Sequence, residues 1–369
     1  MAKVRIGVVG TGDVALKLYL PTVSKIDPNK AQITLLCDAD RSRAERALSL
    51  FGGSGVVTDF RDLVQSDEVD MVLNLTHHSL HTTINQAAIE AGKHIYTEKP
   101  LAVNFNDADV TVRKAAEAGV TLASAPAIVL DPQIAMTRQL YQDGTLGRMC
   151  FARIHGSHEG AHMHGHYYDT SWYHRSGEGG GPLFDTGVYA LHTLTGILGP
   201  AKRVVAFSGL CIPQRTVDFV WEEGFQPYTF STDVDDNVLI MLDWGDNLFA
   251  QLDVTHCMLA SQGPWAEFYG SKGVVVSGAG EAPRNEGVPL MQVYLEPGPF
   301  NKRGWFKIYE DRGEKKWNIS HGVEHVVDCI IEGRKPANSG EHARHVIEII
   351  EKAQDSAKLG QVLELTSSF

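Results

Sequence analysis

Three side chains near the middle of the chain have the types and the spacing needed to move a proton. Asp185 and Tyr189 are one helical turn apart, and His192 follows on the same face of a helix that would begin after Pro182. A carboxylate, a phenol and an imidazole that converge can orient a hydroxyl group and relay its proton. If Asp185 only capped a helix, that role would not require Tyr189 or His192 downstream. We therefore predict that all three are catalytic.

A fourth candidate is Lys99, in the segment Thr97-Glu98-Lys99-Pro100. The segment follows a short apolar stretch, where we expect a strand to end. A lysine at such a place can accept or return a proton, whereas most lysines are solvated surface charges. We interpret Lys99 as the main proton-handling residue, with Asp185 offsetting its charge.

The N-terminal segment combines a buried strand with a glycine-rich turn. The apolar run at residues 4–9 breaks into Gly10-Thr11-Gly12-Asp13-Val14-Ala15, a GxGxxA pattern. Such glycines let the backbone approach a pyrophosphate, and the following helix directs its free N–H groups toward that charge. The pattern alone is weak, because the chain contains 36 glycines. Its position after a strand strengthens the prediction that residues 10–14 bind a dinucleotide.

A second apolar strand, residues 33–37, ends in Asp38. An acidic side chain there can accept hydrogen bonds from both ribose hydroxyls and would repel a 2′-phosphate. This favours NAD as the cofactor, although Asp38 could also be only a turn residue. NADP stays possible, because Arg41 and Arg43 are close enough in sequence to hold a 2′-phosphate. Arg43 is therefore included among the predicted cofactor contacts.

Strand and helix patterns alternate through the N-terminal third, which predicts a doubly wound parallel sheet. The predicted elements are a strand at 69–75, a helix at 80–91, a strand at 94–96, a helix at 107–118 and a strand at 120–123. Ligands of such sheets bind beyond the carboxyl ends of the strands. Polar residues follow two of these ends, and we predict that they face the nicotinamide half of the cofactor: Thr76, His77, His78 and His81 after one strand, and Glu98 and Lys99 after the next.

A histidine-rich segment lies between residues 155 and 174. It contains His155, His158, His162, His164, His166 and His174, with Glu159 and Asp169 among them. Imidazole and carboxylate groups suit zinc and other divalent ions, but the spacings match no zinc motif. We favour histidines that line a substrate pocket and predict no metal site. A solvated loop and a metal site remain the alternatives.

One segment closely resembles the AGKHV…EKPLA segment of an oxidoreductase family: Ala91-Gly92-Lys93-His94-Ile95-Tyr96-Thr97-Glu98-Lys99-Pro100-Leu101-Ala102. This is the glucose-fructose oxidoreductase, inositol dehydrogenase and rhizopine-catabolism (Gfo/Idh/MocA) family of NAD(P)-dependent sugar and polyol enzymes. The resemblance continues through residues 143–147, 179–189 and a last helix ending at Gly360, so it covers essentially the whole chain. It implies a Rossmann domain at 1–124 and, at 125–369, an α+β domain for substrate binding and oligomerisation, with a large open, mostly antiparallel sheet.

The resemblance also implies an activity. The expected reaction oxidises a secondary ring hydroxyl of a sugar, glycoside or polyol to a ketone, or runs in reverse. Hydride passes to nicotinamide while Lys99, Asp185 and Tyr189 handle the proton. Tyr189 stands where inositol dehydrogenases carry histidine, which makes myo-inositol a less favoured substrate. The family's substrate-contacting loop and helix imply a set of substrate contacts: Lys99, His158, His162, Tyr168, Trp172, Tyr173, Asp185 and Tyr189.

Two other functions stay open at this stage. One is a glycoside-cleaving enzyme that holds NAD through each cycle, oxidises a ring carbon transiently and expels the aglycone. The other is a non-catalytic, dinucleotide-dependent regulator. Net production of NADH separates the dehydrogenase from the first alternative, and the presence of Lys99 together with Asp185 argues against the second.

Beyond residue 149 the pattern changes to strands that follow one another, which predicts an antiparallel or mixed sheet. The predicted strands are 150–156, 202–209, 237–242, 248–255, 265–270 and 273–277, with loops at 278–289 and 296–304 and helices at 322–331 and 341–359. Apolar sheet faces left exposed usually mean association. Together with the resemblance, this leads us to expect a homodimer or homotetramer that associates through this sheet.

Composition excludes several partners. A formal net charge of −12 over 369 residues argues against binding to a nucleic-acid backbone. The five cysteines lie far apart and form no CxxC pair, which fits a reducing compartment. We find neither a secretory signal pattern nor an apolar stretch long enough to cross a bilayer. The expectation is a cytoplasmic protein with a small-molecule substrate and no membrane partner.

Overall fold

The protein is described by a computed structural model over residues 3–160, 171–176, 179–217, 226–261, 263–278, 291–297, 301–309 and 320–369. It divides into two compact units. The first is Met1–Ile128 with Trp317–Ile347, and the second is Val129–Lys316 with Glu348–Phe369. The predicted boundary between a cofactor-binding domain at 1–124 and a substrate-binding domain at 125–369 stays a prediction.

The first unit is built on a parallel sheet. Its strands are β1 (Val4–Val9), β2 (Ala31–Cys37), β3 (Gly55–Val57), β4 (Met71–Asn74), β5 (His94–Thr97) and β6 (Leu122–Ser124). They lie in the order β3-β2-β1-β4-β5-β6, and every neighbouring pair is parallel. This is the strand order of a dinucleotide-binding fold, with the order reversing between β1 and β4. The predicted Rossmann sheet is confirmed.

Three of the helices between these strands begin at polar caps. The helices are a π-helical turn (Ala15–Tyr19) leading into α1 (Leu20–Val23), then α2 (Arg41–Phe51), α3 (Phe60–Gln65), α4 (His78–Glu90) and α5 (Phe105–Ala118). Side chains of Asp40, Asp59 and Asn104 accept hydrogen bonds from the first turns of α2, α3 and α5. Each such cap stabilises its helix by about 1 kcal/mol.

The second unit is built on a nine-stranded sheet with a separate two-stranded hairpin. Its strands are β7 (Met149–His155), β8 (Arg203–Gly209), β9 (Gln214–Val217), β10 (Tyr228–Ser231), β11 (Asn237–Gly245), β12 (Leu248–Thr255), β13 (Ala266–Gly270), β14 (Gly273–Ser277), β15 (Met291–Leu295), β16 (Gly304–Tyr309) and β17 (Leu363–Glu364). The order in the large sheet is β16-β15-β14-β13-β7-β12-β11-β8-β17, and β9 pairs with β10. Neighbours are antiparallel except β7 and β12, which run parallel. The predicted α+β class with a mostly antiparallel sheet is confirmed.

Five strands of the second unit were not predicted: β9, β10, β15, β16 and β17. They are two to six residues long, and β9 contains only one apolar residue, Val217. Such short runs give a weak periodic signal. β16 begins at Gly304, within the loop predicted at 296–304. The loop predicted at 278–289 lies, apart from its first residue, outside the described residues.

The remaining helices are α6 (Pro132–Gln142), a π-helical turn (Leu183–Gly187) that leads into α7 (Val188–Leu198), α8 (His321–Glu332) and α9 (Gly340–Leu359). Val323, Val326 and Val327 of α8 are fully buried in the hydrophobic core of the first unit, which also contains Ile6 and Met71. Among the described residues, none of the helices combines the length and the apolar character that crossing a membrane requires.

Candidate active site

The two glycines of the N-terminal turn have different surroundings. Gly10 has φ +87°, and a Cβ placed there would lie 2.8 Å from the carbonyl group of Leu75. The fold itself therefore requires glycine at this position. A Cβ on Gly12 would meet no atom within 4 Å. Gly12 thus leaves open space in front of the helix that follows, which is what a closely approaching pyrophosphate needs.

Asp38 lies directly beside this turn, at the end of β2. The Thr11 amide and hydroxyl donate to Asp38 Oδ2 at 2.9 and 3.1 Å, and the Asp40 amide donates to Asp38 Oδ1 at 3.0 Å. These bonds fix the carboxylate beside the glycine turn. Arg43 points to Asp40 (3.7 Å) with 62% of its side chain exposed, and Arg41 pairs with Glu45 at 2.8 Å. Both arginines are paired with surface carboxylates.

Of the other predicted turn contacts, Asp13 pairs with Lys17 at 2.8 Å and Val14 is half-buried.

The residues after β4 hold two strand-end loops together. Thr76 Oγ1 donates to Asn74 Oδ1 at 2.7 Å. The ring nitrogens of His81 lie 2.7 Å from the Pro100 carbonyl oxygen and 3.0 Å from the Thr76 carbonyl oxygen. His81 is fully buried, and burial lowers its pKa. His78 is also buried, whereas His77 is exposed at the N-terminus of α4. His81 thus links the loop after β4 to the loop after β5. Of the three predicted contacts His77, His78 and His81, only His77 is exposed to solvent.

Lys99 and Glu98 are buried at the end of β5, with 7% and 8% exposure. The Tyr19 hydroxyl donates to Glu98 Oε1 at 2.5 Å, and the Lys99 amide donates to Glu98 Oε2 at 2.7 Å. Glu98 therefore fixes the backbone that carries Lys99. Lys99 is not the solvated surface lysine of the alternative interpretation, and it lies at the same edge of the sheet as the glycine turn, since parallel strands end together.

In the second unit, Asp185 lies in a π-helical turn that begins directly after Pro182, and Tyr189 lies in the first turn of α7. Both side chains are half-buried among buried neighbours. His192 is different, because it is 2% exposed with Nδ1 2.8 Å from the Val188 carbonyl oxygen. Asp185 and Tyr189 are therefore partly exposed, whereas His192 lies inside the packing of the helix.

Two glycines bring the Asp185 turn against the sheet. A Cβ on Gly156 would lie 3.3 Å from Gly187 Cα, and a Cβ on Gly187 would lie 3.0 Å from Val254. Thr186 Oγ1 also donates to the Gly156 carbonyl oxygen. A side chain at either position would crowd the contact between this turn and the ends of β7 and β12.

Two histidines meet Asp185 at this edge. His158 Nε2 and His256 Nε2 each lie 3.2 Å from Asp185 Oδ2. His158 follows β7, His256 follows β12, and the His158 amide donates to the Thr255 carbonyl oxygen at 2.9 Å. Because β7 and β12 are parallel neighbours, residues that follow them emerge at the same edge. We call these three residues the Asp185 cluster.

A buried ion pair is hydrogen-bonded to the backbone that carries the cluster. Arg215 and Asp236 are 2.7 Å apart with 1% and 0% of their side chains exposed. Arg215 Nη1 also donates to the carbonyl oxygens of His256 (3.0 Å) and Glu159 (3.3 Å). Although burial opposes it, hydrogen bonds from the Cys211 amide and Arg215 hold the pKa of Asp236 below its usual range. Arg215 thus fixes the backbone on both sides of the cluster.

Within the part of the chain that the structure describes, two groups of side chains could in principle hold a metal ion. The ligand atoms of His158, Asp185 and His256 lie within 4.8 Å of one another, and so do those of Cys211, Asp236 and Cys257. In the second group Asp236 is already paired with Arg215, whose charge opposes a cation. Only the Asp185 cluster therefore has a donor set suited to a divalent ion.

The other predicted substrate contacts are partly outside the described residues. His162 and Tyr168 lie there, as do His164, His166 and Asp169. Trp172 and Tyr173 lie in a 3₁₀ turn, Ser171–His174, with their rings stacked 3.8 Å apart. His155 pairs with Asp253 at 2.6 Å, which raises the pKa of His155, and does not belong to the Asp185 cluster.

Sequence reasoning missed His256 and Arg215. His256 directly follows the predicted strand 248–255, so its place at a strand end was a usable signal. The sequence did not indicate, however, that β12 pairs with β7, because these two strands are far apart along the chain. Arg215 lies in β9, which was not predicted, and no local pattern marks it.

The strand order of the first unit is that of proteins that bind a dinucleotide at the switch point of a parallel sheet. The chain belongs to the GFO/IDH/MocA family: residues 4–125 match the model of the oxidoreductase family with an NAD-binding Rossmann fold, and residues 134–276 match the GFO/IDH/MocA C-terminal domain. The family named from the sequence motifs is confirmed, and so is the NAD-binding Rossmann fold.

Relatives within the family include sugar enzymes. A D-xylose dehydrogenase of Paenarthrobacter nicotinovorans is 28% identical over 60% of this chain and 57% of its own length. A 1,5-anhydro-D-fructose reductase of Ensifer adhaerens is 30% identical over 54% of this chain and 59% of its own. The chain thus spans less than two thirds of the length of these curated relatives. A solved levoglucosan dehydrogenase in complex with NADH and levoglucosan shares the fold, with a TM-score of 0.83, 20% identity and coverage of 99% of this chain and 100% of that one.

The contrast between Gly10 and Gly12 gives a paired prediction. We expect Gly12→Ala to weaken NAD binding at least ten-fold while changing the free energy of unfolding by less than about 0.5 kcal/mol, because the added methyl group meets only the ligand. Gly10→Ala should instead destabilise the fold by about 1 to 3 kcal/mol. Thermal unfolding and titration of NAD into each variant measure both effects. Unchanged NAD affinity in Gly12→Ala would show that the pyrophosphate does not approach this turn.

Proposed function

We propose that the protein is an NAD-dependent dehydrogenase of a sugar, glycoside or polyol, which oxidises a secondary ring hydroxyl to a ketone or catalyses the reverse reaction. The observation that carries this proposal is the buried Lys99 at the strand edge that also carries the glycine turn and Asp38. A buried lysine at the same sheet edge as a dinucleotide-binding turn is suited to exchange a proton with a substrate hydroxyl. Membership in an oxidoreductase family supports it.

Each residue of the proposal has one role. Bound NAD supplies the hydride acceptor. Lys99 takes the hydroxyl proton during oxidation and returns it during reduction. Asp185 accepts a hydrogen bond from the substrate and Tyr189, half-buried in the next turn, shares or relays the proton.

The substrate class is supported by the relatives and by the second unit. The relatives are named for D-xylose, 1,5-anhydro-D-fructose and levoglucosan, and they include both a dehydrogenase and a reductase. The Asp185 cluster offers polar groups, and Trp172 and Tyr173 present a stacked aromatic pair. Polar groups with aromatic surfaces suit a ligand that carries hydroxyls on an apolar ring.

The test is reduction of NAD at the nicotinamide absorbance band, with purified protein and a panel of free sugars, anhydrosugars, inositols and aryl glycosides. NADP is run in parallel. We expect net NADH formation with a small set of related sugars and a preference for NAD, because the Asp38 carboxylate beside the glycine turn would repel a 2′-phosphate. Aglycone release without net NADH would replace the proposal with the oxidation and elimination cycle. Tight NAD binding with no turnover of any substrate would favour a regulator.

We also propose that the large sheet binds a second copy of this chain. β11 alternates buried and exposed residues, and its exposed face carries Leu239 and Met241, each 49% exposed. Leu239 pairs across the strand with Phe207, which is 76% exposed, and Phe249 of the neighbouring β12 is 40% exposed. An apolar sheet face of this kind is covered in stable assemblies.

Substituting lysine on this face should dissociate the assembly. We expect Phe207→Lys with Leu239→Lys to shift the protein toward monomer in sedimentation velocity, because burying two ammonium groups in an interface is unfavourable. Leu50→Lys is the matched control, since Leu50 is 58% exposed but lies on α2 of the first unit. An unchanged sedimentation coefficient in the double variant would rule out this face as the interface.

A further inference from the structure

Asp185 Oδ2 receives two imidazoles at the same distance. His158 Nε2 and His256 Nε2 both lie 3.2 Å from this oxygen, and the two rings are 4.8 Å apart between centroids. The three side chains are shielded from water, with 10% of His158, 0% of His256 and 13% of Asp185 exposed. In such a place the position of each ring proton has a large energetic consequence.

The tautomer of His158 follows from its second ring nitrogen. The Gly160 amide donates to His158 Nδ1 at 3.1 Å. Nδ1 must therefore offer a lone pair, because a proton there would point at the amide hydrogen. The ring carries its proton on Nε2, and this N–H is directed at Asp185.

The tautomer of His256 follows from burial. Burial disfavours the charged ring and lowers the pKa of His256. Its Nδ1 is buried and has no hydrogen-bond partner among the described residues. A proton on Nδ1 would be a buried, unsatisfied donor, and it would leave the Nε2 lone pair facing the carboxylate. A proton on Nε2 avoids both the unsatisfied donor and the repulsion between lone pair and carboxylate, so His256 carries its proton on Nε2.

We propose that His158 and His256 are positioning residues that each donate an Nε2 proton to Asp185 Oδ2. They keep this carboxylate ionised and fix its plane, so that Asp185 serves as a hydrogen-bond acceptor for a substrate hydroxyl and not as a proton donor. The substrate contact rests on the proposed function, whereas the arrangement of the protons does not.

The same arrangement disfavours a metal ion in the cluster. A cation bound by both Nε2 atoms would force each ring proton onto Nδ1. On His158 that proton would meet the Gly160 amide hydrogen, and on His256 it would be buried without an acceptor among the described residues. A coordinated cation would therefore require the 158–160 backbone to move, although the three ligand atoms are close enough to hold one.

The decisive measurement is the tautomer itself. Long-range ¹H–¹⁵N correlation spectra of protein with ¹⁵N-labelled histidine separate the two neutral tautomers and the charged ring, and His158→Gln and His256→Gln identify the signals. We expect the neutral Nε2–H pattern for both residues, unchanged by added Zn²⁺. A charged ring, an Nδ1–H pattern or stoichiometric zinc retained by the purified protein would overturn the proposal.

A paired substitution tests the consequence for turnover. His256→Leu removes the donor and keeps most of the volume, whereas His256→Gln keeps an N–H near the position of Nε2. We expect kcat/KM to fall about ten- to hundred-fold in the leucine variant, as for loss of a hydrogen bond to a charged group, and to recover largely in the glutamine variant. Equal losses in the two variants would overturn the positioning role. If the parent protein turns over no sugar, the proposed function fails, and the spectra still decide the proton arrangement.

Discussion

Replacing Lys99 by methionine is expected to lower kcat by about 10²- to 10⁴-fold, the usual contribution of a general acid or base, while NAD still binds. Methionine has nearly the length of the lysine stem and is apolar, so it can fill a position that is 7% exposed. What the substitution removes is the amine that exchanges the hydroxyl proton. The measurement is kcat at saturating NAD and sugar, with NAD affinity determined separately by titration.

Lys114→Met is the matched control for Lys99→Met. Lys114 lies on α5 and pairs with Glu90 at 2.7 Å near the surface, so its loss should leave kcat within two-fold of the parent. If Lys99→Met turned over substrate at the parental rate, Lys99 could not be the proton-handling residue. If it lost NAD binding as well, the lysine would act first on the cofactor.

The second large effect concerns stability. We expect Arg215→Met to lower the free energy of unfolding by about 3 to 5 kcal/mol, because it leaves the Asp236 carboxylate as an unpaired charge in a fully buried position. The substitution also removes the two hydrogen bonds to the carbonyl oxygens of Glu159 and His256. Urea unfolding followed by circular dichroism measures the change.

Two further variants separate the buried charge from the packing. Arg215→Met with Asp236→Leu should recover much of the loss, since replacing both partners of a buried pair by apolar groups is often neutral. Arg61→Met removes an ion pair to Asp59 in which the arginine side chain is 74% exposed, and it should cost less than about 1 kcal/mol. A loss below 1 kcal/mol in Arg215→Met itself would show that Asp236 is not held as a charge by Arg215.

The first unit could be predicted well from the sequence because its signals are local. The second half of β2, residues 33–37, is mostly apolar and is followed directly by Asp38, and α2 begins at the Asp40 cap. Strand ends of a parallel sheet are the places where ligands bind, so Asp38 and Lys99 could be singled out by position alone. In the second unit the same signals identified β12 and β14 with the bounds that the structure shows.

The Asp185 cluster could be predicted only in part. Asp185 and His158 stand out by residue type, but their meeting depends on two features that no local pattern encodes. One is the contact of Gly156 with Gly187, which lets the π-helical turn approach the sheet. The other is the parallel pairing of β7 and β12, which delivers His256. Both are properties of tertiary packing.

The parallel pairing of β7 and β12 also affects the order in which the protein folds. The hydrogen bond between His155 and Asp253 joins residues 98 positions apart, so the chain must close a long loop before it forms. Contacts of this range form slowly compared with contacts inside a single helix or hairpin. The Asp185 cluster therefore cannot form before β7 and β12 have paired, and it is absent from any folding intermediate in which these two strands are still apart.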